Sequence, residues 1–168
     1  SRDEYAIYTE DGDAYKRNVD RLARKFETAK ELVPQPEFIK AGSTETSNEV
    51  SKRSRDGMIY FGTSSYAAME AMEMFEADGI HLDAMRPRAF PFGKAFSEFV
   101  ASHERIFVVE QNRDAQFRSL MLIELGTPSS ERIAAATGLT EKLVSVLNYD
   151  GTPITADNIY VQIKAAMR

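Results

Sequence analysis

The stretch that decides the fold is Arg105-Ile-Phe-Val-Val-Glu-Gln-Asn-Arg-Asp-Ala-Gln116, in which a buried-strand pattern ends in a run of polar residues. The apolar part, 106–109, is β-branched or aromatic and too short for a helix, so it predicts a strand. A helix with apolar positions from Phe117 onward follows, and Asn112 or Asp114 could cap it. In open parallel sheets ligands and partners gather at the carboxyl ends of strands, so the polar run is a candidate site.

The same alternation of strand and helix continues on both sides of that stretch. Short β-branched or apolar runs predict strands, and apolar residues at spacings of three and four predict helices. The predicted strands are 58–63, 80–85, 105–109 and 143–147, and the predicted helices are 66–77, 94–102, 114–125, a short one at 131–137 and a final one capped by Thr155. This alternation implies right-handed crossovers and a parallel sheet between helices, which is a three-layer αβα Rossmann-like fold.

The N-terminal region predicts a long amphipathic helix. Between residues 15 and 33, apolar side chains recur at spacings of three and four, at Val19, Leu22, Phe26, Ala29 and Val33. Basic residues cover the opposite face, and Pro34 ends the helix. The apolar stripe needs a partner, which could be this domain's own sheet, a further N-terminal portion or a second copy of the chain.

Residues 35–56 have the composition of a linker. They include Pro36, Gly42, a polar run and a basic cluster at 52–55. We therefore divide the chain into a polar tail with the amphipathic helix at 1–34, a flexible linker at 35–56 and an α/β domain at 57–168. The chain opens on a polar stretch without an initiator methionine, so we expect it to be part of a longer polypeptide.

Composition disfavours several classes of function. A net charge of −5 argues against a nucleic-acid-binding surface, and no apolar run approaches the roughly 20 residues needed to span a membrane. The absence of cysteine rules out disulfides, a thiolate nucleophile and an iron–sulfur cluster held by this chain's own thiolates. The histidines, His81 and His103, lack a partner at ligand spacing, so we predict no metal site and a surface or strand-edge position for both.

The segment Gly62-Thr-Ser-Ser65 falls between a predicted strand and a predicted helix. Backbone N–H groups at such a position make Gly62, Thr63, Ser64 and Ser65 anion-binding candidates. The sequence has neither of the glycine-rich phosphate fingerprints, and a tight turn with a serine cap is the alternative. A cofactor phosphate and a simple strand-to-helix turn both remain open here.

The polar run after strand 105–109 supplies further candidates. Glu110 can organise a hydrogen-bond cluster with its polar neighbours, which are Gln111, Asn112, Arg113 and Gln116. Its role is either to position a ligand or a partner's backbone, or to stabilise the corner by pairing with Arg113, Arg86 or Arg88. We predict contacts to a ligand or to a neighbouring domain, and no catalytic residue.

The loop after strand 80–85 combines arginines with aromatic residues beside prolines. Such a loop favours a rigid docking surface, and its candidate residues are Arg86, Arg88, Phe90 and Phe92. The helix before that strand has a wholly acidic face, formed by Glu70, Glu73, Glu76 and Asp78. An acidic face of this kind is either solvated or docks a basic partner surface.

Several of these segments, taken together and in this order, resemble one enzyme family. They are Arg24-Lys-Phe-Glu-Thr-Ala29, Met58-Ile-Tyr-Phe-Gly-Thr63, Arg86-Pro-Arg-Ala-Phe-Pro-Phe92, the stretch 105–116 and Tyr149-Asp-Gly-Thr-Pro-Ile-Thr155. The combination, from about Tyr15 to the C-terminus, resembles the C-terminal part of the α subunit of 2-oxoacid:ferredoxin oxidoreductases, particularly the 2-oxoglutarate type. The resemblance implies a transketolase C-terminal-domain-like fold with a mostly parallel sheet of about five strands.

The resemblance also implies a function for the parent enzyme. Such an enzyme converts a 2-oxoacid, here 2-oxoglutarate, and CoA into acyl-CoA and CO2, and it passes the electrons to ferredoxin. It uses thiamine diphosphate, Mg²⁺ and an iron–sulfur cluster, and we expect this chain to bind none of them. We expect the chain to be a catalytically silent scaffold in a cytoplasmic complex, with the remaining α-subunit domains and the β subunit as partners, and ferredoxin reached through the complex.

The residues themselves also allow two other classes of function. One is a free-standing Rossmann-like domain that binds a nucleotide or CoA at the loops around Gly62, Arg86 and Asn112. The other is a regulatory interaction module, which would have the same surface features as a scaffold. In either case the apolar stripe of the N-terminal helix could be covered by homodimerisation.

Overall fold

A mixed β-sheet forms the centre of the computed structural model, which describes residues 1–43, 45–47, 54–126 and 138–168. Its strands are β1 (Glu37–Ile39), β2 (Thr46–Ser47), β3 (Asp56–Tyr60), β4 (Leu82–Arg86), β5 (Arg105–Glu110) and β6 (Leu143–Leu147). They lie side by side in the order β2-β1-β4-β3-β5-β6. β4, β3, β5 and β6 are parallel, whereas β1 is antiparallel to both of its neighbours, β4 and β2.

Helices cover both faces of this sheet. They are α1 (Gly12–Leu32), α2 (Ser65–Ala77), α3 (Lys94–Ser102), α4 (Gln116–Leu125), α5 (Leu139–Lys142) and α6 (Ala156–Ala166). α2 and α6 cover one face, where Phe75 lies in the same core as Phe107 of β5. α3 and α4 cover the other, where Phe99 lies with Val108, because successive side chains of a strand point to opposite faces. These three layers confirm the predicted αβα Rossmann-like class.

Most described elements lie where the local sequence pattern predicts them. α3 has the predicted bounds, and α2 and β5 differ from the prediction by one residue each. The predicted cap of α6 is also confirmed, because the Thr155 side chain accepts a hydrogen bond from the backbone N–H of Asn158 at 3.2 Å. The short helix predicted at 131–137 lies outside the described residues.

The segment 35–56 differs most from its prediction. β1 lies within the sheet with Phe38 and Ile39 buried, and its register pairs Phe38 with Ser47 of β2 and with Met85 of β4. A strand of three residues is too short for a periodic pattern, so only its pairing with a distant strand makes it regular. The described sheet therefore has six strands rather than about five, and a linker is the wrong description for 37–39 and 46–47. The division into three regions stays a prediction.

The long helix α1 is largely exposed. Ala14 is its fully buried residue, and near the other end Phe26 packs edge-on against Phe90 with ring centroids 5.5 Å apart. Between them, Val19 and Leu22 are 44 % and 57 % exposed. This chain's own sheet therefore leaves the middle of the predicted apolar stripe uncovered. Neither α1 nor any other described helix is long and apolar enough to cross a membrane.

A buried polar cluster ties β4 to the start of β5 and to the edge of the sheet. Asp83 and His103 are almost fully buried, and His103 Nε2 lies 3.0 Å from Asp83 Oδ2. The other ring nitrogen, Nδ1, lies 2.8 Å from the carbonyl oxygen of Phe99. The carboxylate also accepts hydrogen bonds from the backbone N–H groups of Ala41 and Ser54, at 2.9 and 2.8 Å. A surface or strand-edge position is thus wrong for His103, because it is buried between α3 and β5 and its ring pairs with a carboxylate of β4.

Candidate functional site

An open cleft lies at the carboxyl ends of β3 and β5. Its volume is about 650 Å³. Its described lining residues are Phe61, Gly62, Thr63, Ser64, Gln111, Asn112, Gln116, Phe117 and Leu120. The structure therefore brings three of the four anion-binding candidates, Gly62, Thr63 and Ser64, and much of the polar run into one site, because β3 and β5 are adjacent and parallel. The apolar lining residues could not be recognised as site residues from the sequence, because their pattern is that of core positions in a strand or a helix.

The wall formed by 62–65 is a tight turn that leads into α2. Gly62 has φ +59°, a left-handed conformation that favours glycine. The Ser65 hydroxyl donates a hydrogen bond back to the Gly62 carbonyl at 3.1 Å, and Ser64 is buried. None of the described lining residues is a lysine or an arginine, so a bound phosphate would have no cationic side chain beside it. Anion binding at this turn stays a prediction. The tight turn between strand and helix is observed.

Gln111 connects three segments around the cleft. Its side-chain Nε2 lies 3.0 Å from Thr63 Oγ1 and 3.2 Å from Ser64 Oγ, and donates to both. Its Oε1 accepts a hydrogen bond from the backbone N–H of Ile154 at 3.2 Å. The amide therefore holds the turn after β3 and the segment before α6 against the end of β5. A residue bonded in this way shapes the cleft more than it offers free polar atoms to a ligand.

Glu110 is a fully buried carboxylate that caps α4 from the end of β5. It accepts hydrogen bonds from Asn112 Nδ2 at 2.6 Å and from the backbone N–H groups of Phe117 and Arg118 at 2.8 and 3.2 Å. Neither Asn112 nor Asp114 is the N-cap residue, which is Ala115 in a left-handed conformation, although the Asn112 side chain does accept a hydrogen bond from the first N–H group of α4. A negative charge at a helix N-terminus is favourable, so Glu110 satisfies both the N–H groups and the helix dipole.

Asn112 supports the same corner. Its Oδ1 accepts hydrogen bonds from the backbone N–H groups of Asp114 and Gln116, at 3.0 and 3.3 Å. Glu110 and Asn112 together fix the loop that presents Gln116 to the cleft. The cluster predicted around Glu110 therefore exists, but it is held by amide groups and backbone rather than by arginine.

Glu110 stabilises the corner, which was one of its two alternative roles, but not through the arginines suggested as its partners. Arg113 pairs instead with Asp114, at 2.7 Å. Arg86 and Arg88 both approach Glu37 of β1, at 3.2 and 3.6 Å. The reason is the strand order, which places β1 beside β4 and inserts β3 between β4 and β5. Arg86, Arg88 and Arg113 therefore do not line the cleft.

The aromatic residues of the loop after β4 have different environments. Phe92 is buried and stacks on Phe96 with ring centroids 3.9 Å apart, and it contacts the edge of Phe117 at 5.8 Å. Phe90 is 43 % exposed and packs against Phe26 of α1. Phe92 therefore belongs to the core behind the cleft wall, and of these two rings only Phe90 offers surface for docking.

The acidic face of α2 is partly used within the chain. Hydrogen bonds from Lys164 and Tyr160 hold the pKa of Asp78 below its ordinary value, and they join α2 to α6. Glu76 accepts a hydrogen bond from the backbone N–H of Gly42 at 2.8 Å and pairs with His81 at 3.0 Å. His81 is exposed, in agreement with its predicted surface position. Among the described residues, no three side chains of the metal-ligating types come together.

Fold and cleft together define the class, an αβα domain with an open cleft at the carboxyl ends of its parallel strands. The sequence matches no protein-family model, and no curated protein matches it in sequence. Among solved structures the chain is similar to 2-oxoglutarate:ferredoxin oxidoreductase from Magnetococcus marinus, solved with 2-oxoglutarate, coenzyme A and succinyl-CoA bound. The TM-score is 0.73 at 18 % identity, and the match covers 99 % of this chain and 26 % of that one. This likeness establishes the fold, and the chain spans about a quarter of its neighbour's length.

Proposed function

We propose that this chain is a non-catalytic domain of the α subunit of a 2-oxoacid:ferredoxin oxidoreductase of the 2-oxoglutarate type. The observation that carries the proposal is the structural likeness to 2-oxoglutarate:ferredoxin oxidoreductase, which extends over 99 % of the chain. The sequence segments that resemble this family extend over nearly the same length, from about Tyr15 to the C-terminus. A likeness that includes α1 as well as the α/β domain favours a shared position in a larger enzyme.

The parent enzyme would convert 2-oxoglutarate and CoA into succinyl-CoA and CO2, with ferredoxin as the electron acceptor. Its expected cofactors are thiamine diphosphate, Mg²⁺ and an iron–sulfur cluster, and we expect this chain to bind none of them. The described lining residues of the cleft include no lysine or arginine for a diphosphate, and the sequence has no cysteine for a cluster. We therefore assign the cofactors to the remaining α-subunit domains and to the β subunit, which are the expected partners of this chain in a cytoplasmic complex.

The cleft supports an interface role within such an enzyme. Glu110 and Gln111 already bond within the chain, so neither of these two residues is free to act as a base at the cleft. The cleft presents a surface of aromatic, amide and hydroxyl groups, in which the ring centroids of Phe61 and Phe117 lie 4.6 Å apart. Surfaces that combine aromatic rings with neutral polar groups are typical of interface cores. We infer that a neighbouring domain or subunit docks here.

The proposal is tested by reconstitution of the parent enzyme. The chain is mixed with the separately purified remaining α portion and β subunit, and the 2-oxoglutarate- and CoA-dependent reduction of an electron acceptor is measured. We expect the chain to be inactive alone, to co-purify with the other parts and to restore activity. Thiamine-dependent decarboxylation by the chain alone, or a folded chain that neither associates nor restores activity, would overturn the proposal.

A charged substitution in the cleft should weaken this association. Gln116 is exposed at the cleft, and Gln116→Arg should raise the dissociation constant for the remaining subunits by about tenfold or more, because a guanidinium would be buried without a partner. Ser119→Arg is the matched control, since Ser119 is exposed on the same helix but does not line the cleft. Titration of each variant with the remaining subunits, followed by light scattering, measures the two dissociation constants. Equal effects of the two substitutions would contradict an interface at the cleft.

A nucleotide- or CoA-binding domain is the second candidate function. The observation in its favour is the size of the cleft and its position at the carboxyl ends of parallel strands. If CoA or ATP binds the folded chain specifically, a concentration of one hundred times the dissociation constant should stabilise the chain by about 2.7 kcal/mol. Thermal unfolding measures this stabilisation. An unchanged melting temperature with both ligands would remove this candidate.

A further inference from the structure

A second cavity, distinct from the cleft, lies between α2 and the turn that follows β1. Its volume is about 360 Å³, which falls within the roughly 300–1,000 Å³ of small-molecule sites. One wall is a single face of α2, which contributes Met69, Met72, Glu73 and Glu76 at spacings of three, one and three. Met72 is almost fully buried and Met69 is 40 % exposed, so the apolar lining extends from the core to the surface. We call this feature the α2 cavity.

The opposite wall is formed by the end of β1 and the turn after it, and two hydrogen bonds hold that turn in place. Glu76 accepts one from the backbone N–H of Gly42 at 2.8 Å, and Asp83 accepts the other from the backbone N–H of Ala41 at 2.9 Å. Ile39 adds a buried apolar side chain to the lining. The α2 cavity is therefore a preformed feature of the fold, with both walls fixed to each other.

The two carboxylates of the α2 cavity differ in how far they are used within the chain. Glu76 bonds to Gly42 and pairs with His81 at 3.0 Å. Glu73 is exposed, and it forms no hydrogen bond or ion pair with another described residue. No lysine or arginine stands among the described lining residues, and α2 has no basic residue. An unpaired carboxylate beside an apolar cavity attracts a cation and repels an anion.

We propose that the α2 cavity binds a small organic cation, an amine whose apolar part fills the cavity and whose ammonium group pairs with Glu73. Burial of the apolar part supplies affinity, and the ion pair supplies the preference for a cation. A metal ion is a poorer match, because no three metal-ligating side chains come together among the described residues. This site goes beyond the proposed place of the domain in an oxidoreductase and does not depend on it.

Hexylammonium is the probe for this proposal, because it joins one ammonium group to a short alkyl chain. It is titrated at constant pH and ionic strength into the whole chain with isotope-labelled methionine methyl groups, and the methyl signals are followed by NMR. The signals of Met69 and Met72 should shift along a saturable curve. Those of Met85 and Met121 should stay unchanged, because these residues lie in the core on the other face of the sheet.

Two comparisons test the ion pair with Glu73. Hexan-1-ol keeps the alkyl chain without the charge, so it should bind about fivefold more weakly than hexylammonium. Glu73→Gln should weaken hexylammonium binding by about the same factor and leave hexan-1-ol binding unchanged. The matched control is Glu70→Gln, which removes the same charge from an exposed position of α2 that does not line the cavity. This control should bind hexylammonium like the unmodified chain.

The outcomes separate the proposal from unspecific binding of an amphiphile. Met69 and Met72 signals that do not shift, or that shift without saturating, would overturn it. Equal binding of hexan-1-ol and hexylammonium would overturn it as well, because the cavity would then select no cation. The same holds if Glu70→Gln weakens hexylammonium binding as much as Glu73→Gln does, since the net charge of the chain would then explain the effect.

Discussion

Replacing Asp83 by alanine is expected to lower the free energy of unfolding by about 3–5 kcal/mol, because a buried polar pair loses one partner. The substitution leaves His103 buried without its carboxylate, and it removes the acceptor for the backbone N–H groups of Ala41 and Ser54. Each buried group left without a hydrogen bond costs about 1–3 kcal/mol. Urea denaturation should show the loss as a lower midpoint at an unchanged slope.

The control for this prediction is Asp20→Ala, which removes an exposed carboxylate from α1. Its effect should stay within about 0.5 kcal/mol. A double-mutant cycle with His103→Ala should be non-additive, because either substitution alone already breaks the contact between the two side chains. A loss for Asp83→Ala no larger than that for Asp20→Ala would show that the buried pair contributes nothing to stability.

The regular elements can be predicted from the sequence where they depend on local patterns. The apolar run of β5 and the periodic apolar residues of α3 each contain enough residues to define their period. β1 cannot be predicted in this way, because it has three residues and becomes a strand only by pairing with β4. The pair Asp83–His103 cannot be predicted from a local pattern either, because the two residues are 20 positions apart and no spacing rule connects them.

The candidate site can be predicted in its parts but not in its bonding. The turn at 62–65 and the polar run after β5 each follow a strand, and parallel neighbouring strands bring them together. The partners of Glu110 and of Arg86 depend on the strand order, which no local pattern supplies. Glu110 caps a helix that begins six positions later, so a rule that looks for the cap directly before the helix misses it.

Replacing Glu110 by alanine is expected to destabilise the fold by about 2–4 kcal/mol, since the change removes a helix cap and leaves buried donors unsatisfied. The donors are Asn112 Nδ2 and the backbone N–H groups of Phe117 and Arg118. Glu110→Gln should cost less, because the amide oxygen can still accept hydrogen bonds. Some cost should remain, because the NH2 group is itself a donor and faces the remaining donors. Urea denaturation measures the stability, and hydrogen exchange at the Phe117 and Arg118 amides locates the change.

The exposed carboxylate of Glu31 provides the control, and Glu31→Ala should leave both measurements unchanged within about 0.5 kcal/mol. Unchanged exchange at Phe117 and Arg118 in Glu110→Ala would contradict the capping role.

Glu110→Gln also distinguishes a specific role of the cleft in subunit binding from a general loss of stability. Glu110 lies at the carboxyl end of β5 and fixes the loop that presents Gln116, whereas Asp83 lies near the amino end of β4. Glu110→Gln should therefore weaken binding to the remaining subunits under conditions in which the chain is fully folded. Asp83→Ala should leave that binding intact under the same conditions, despite its larger cost in stability. If both substitutions weakened binding in proportion to lost stability, the cleft would have no specific role in assembly.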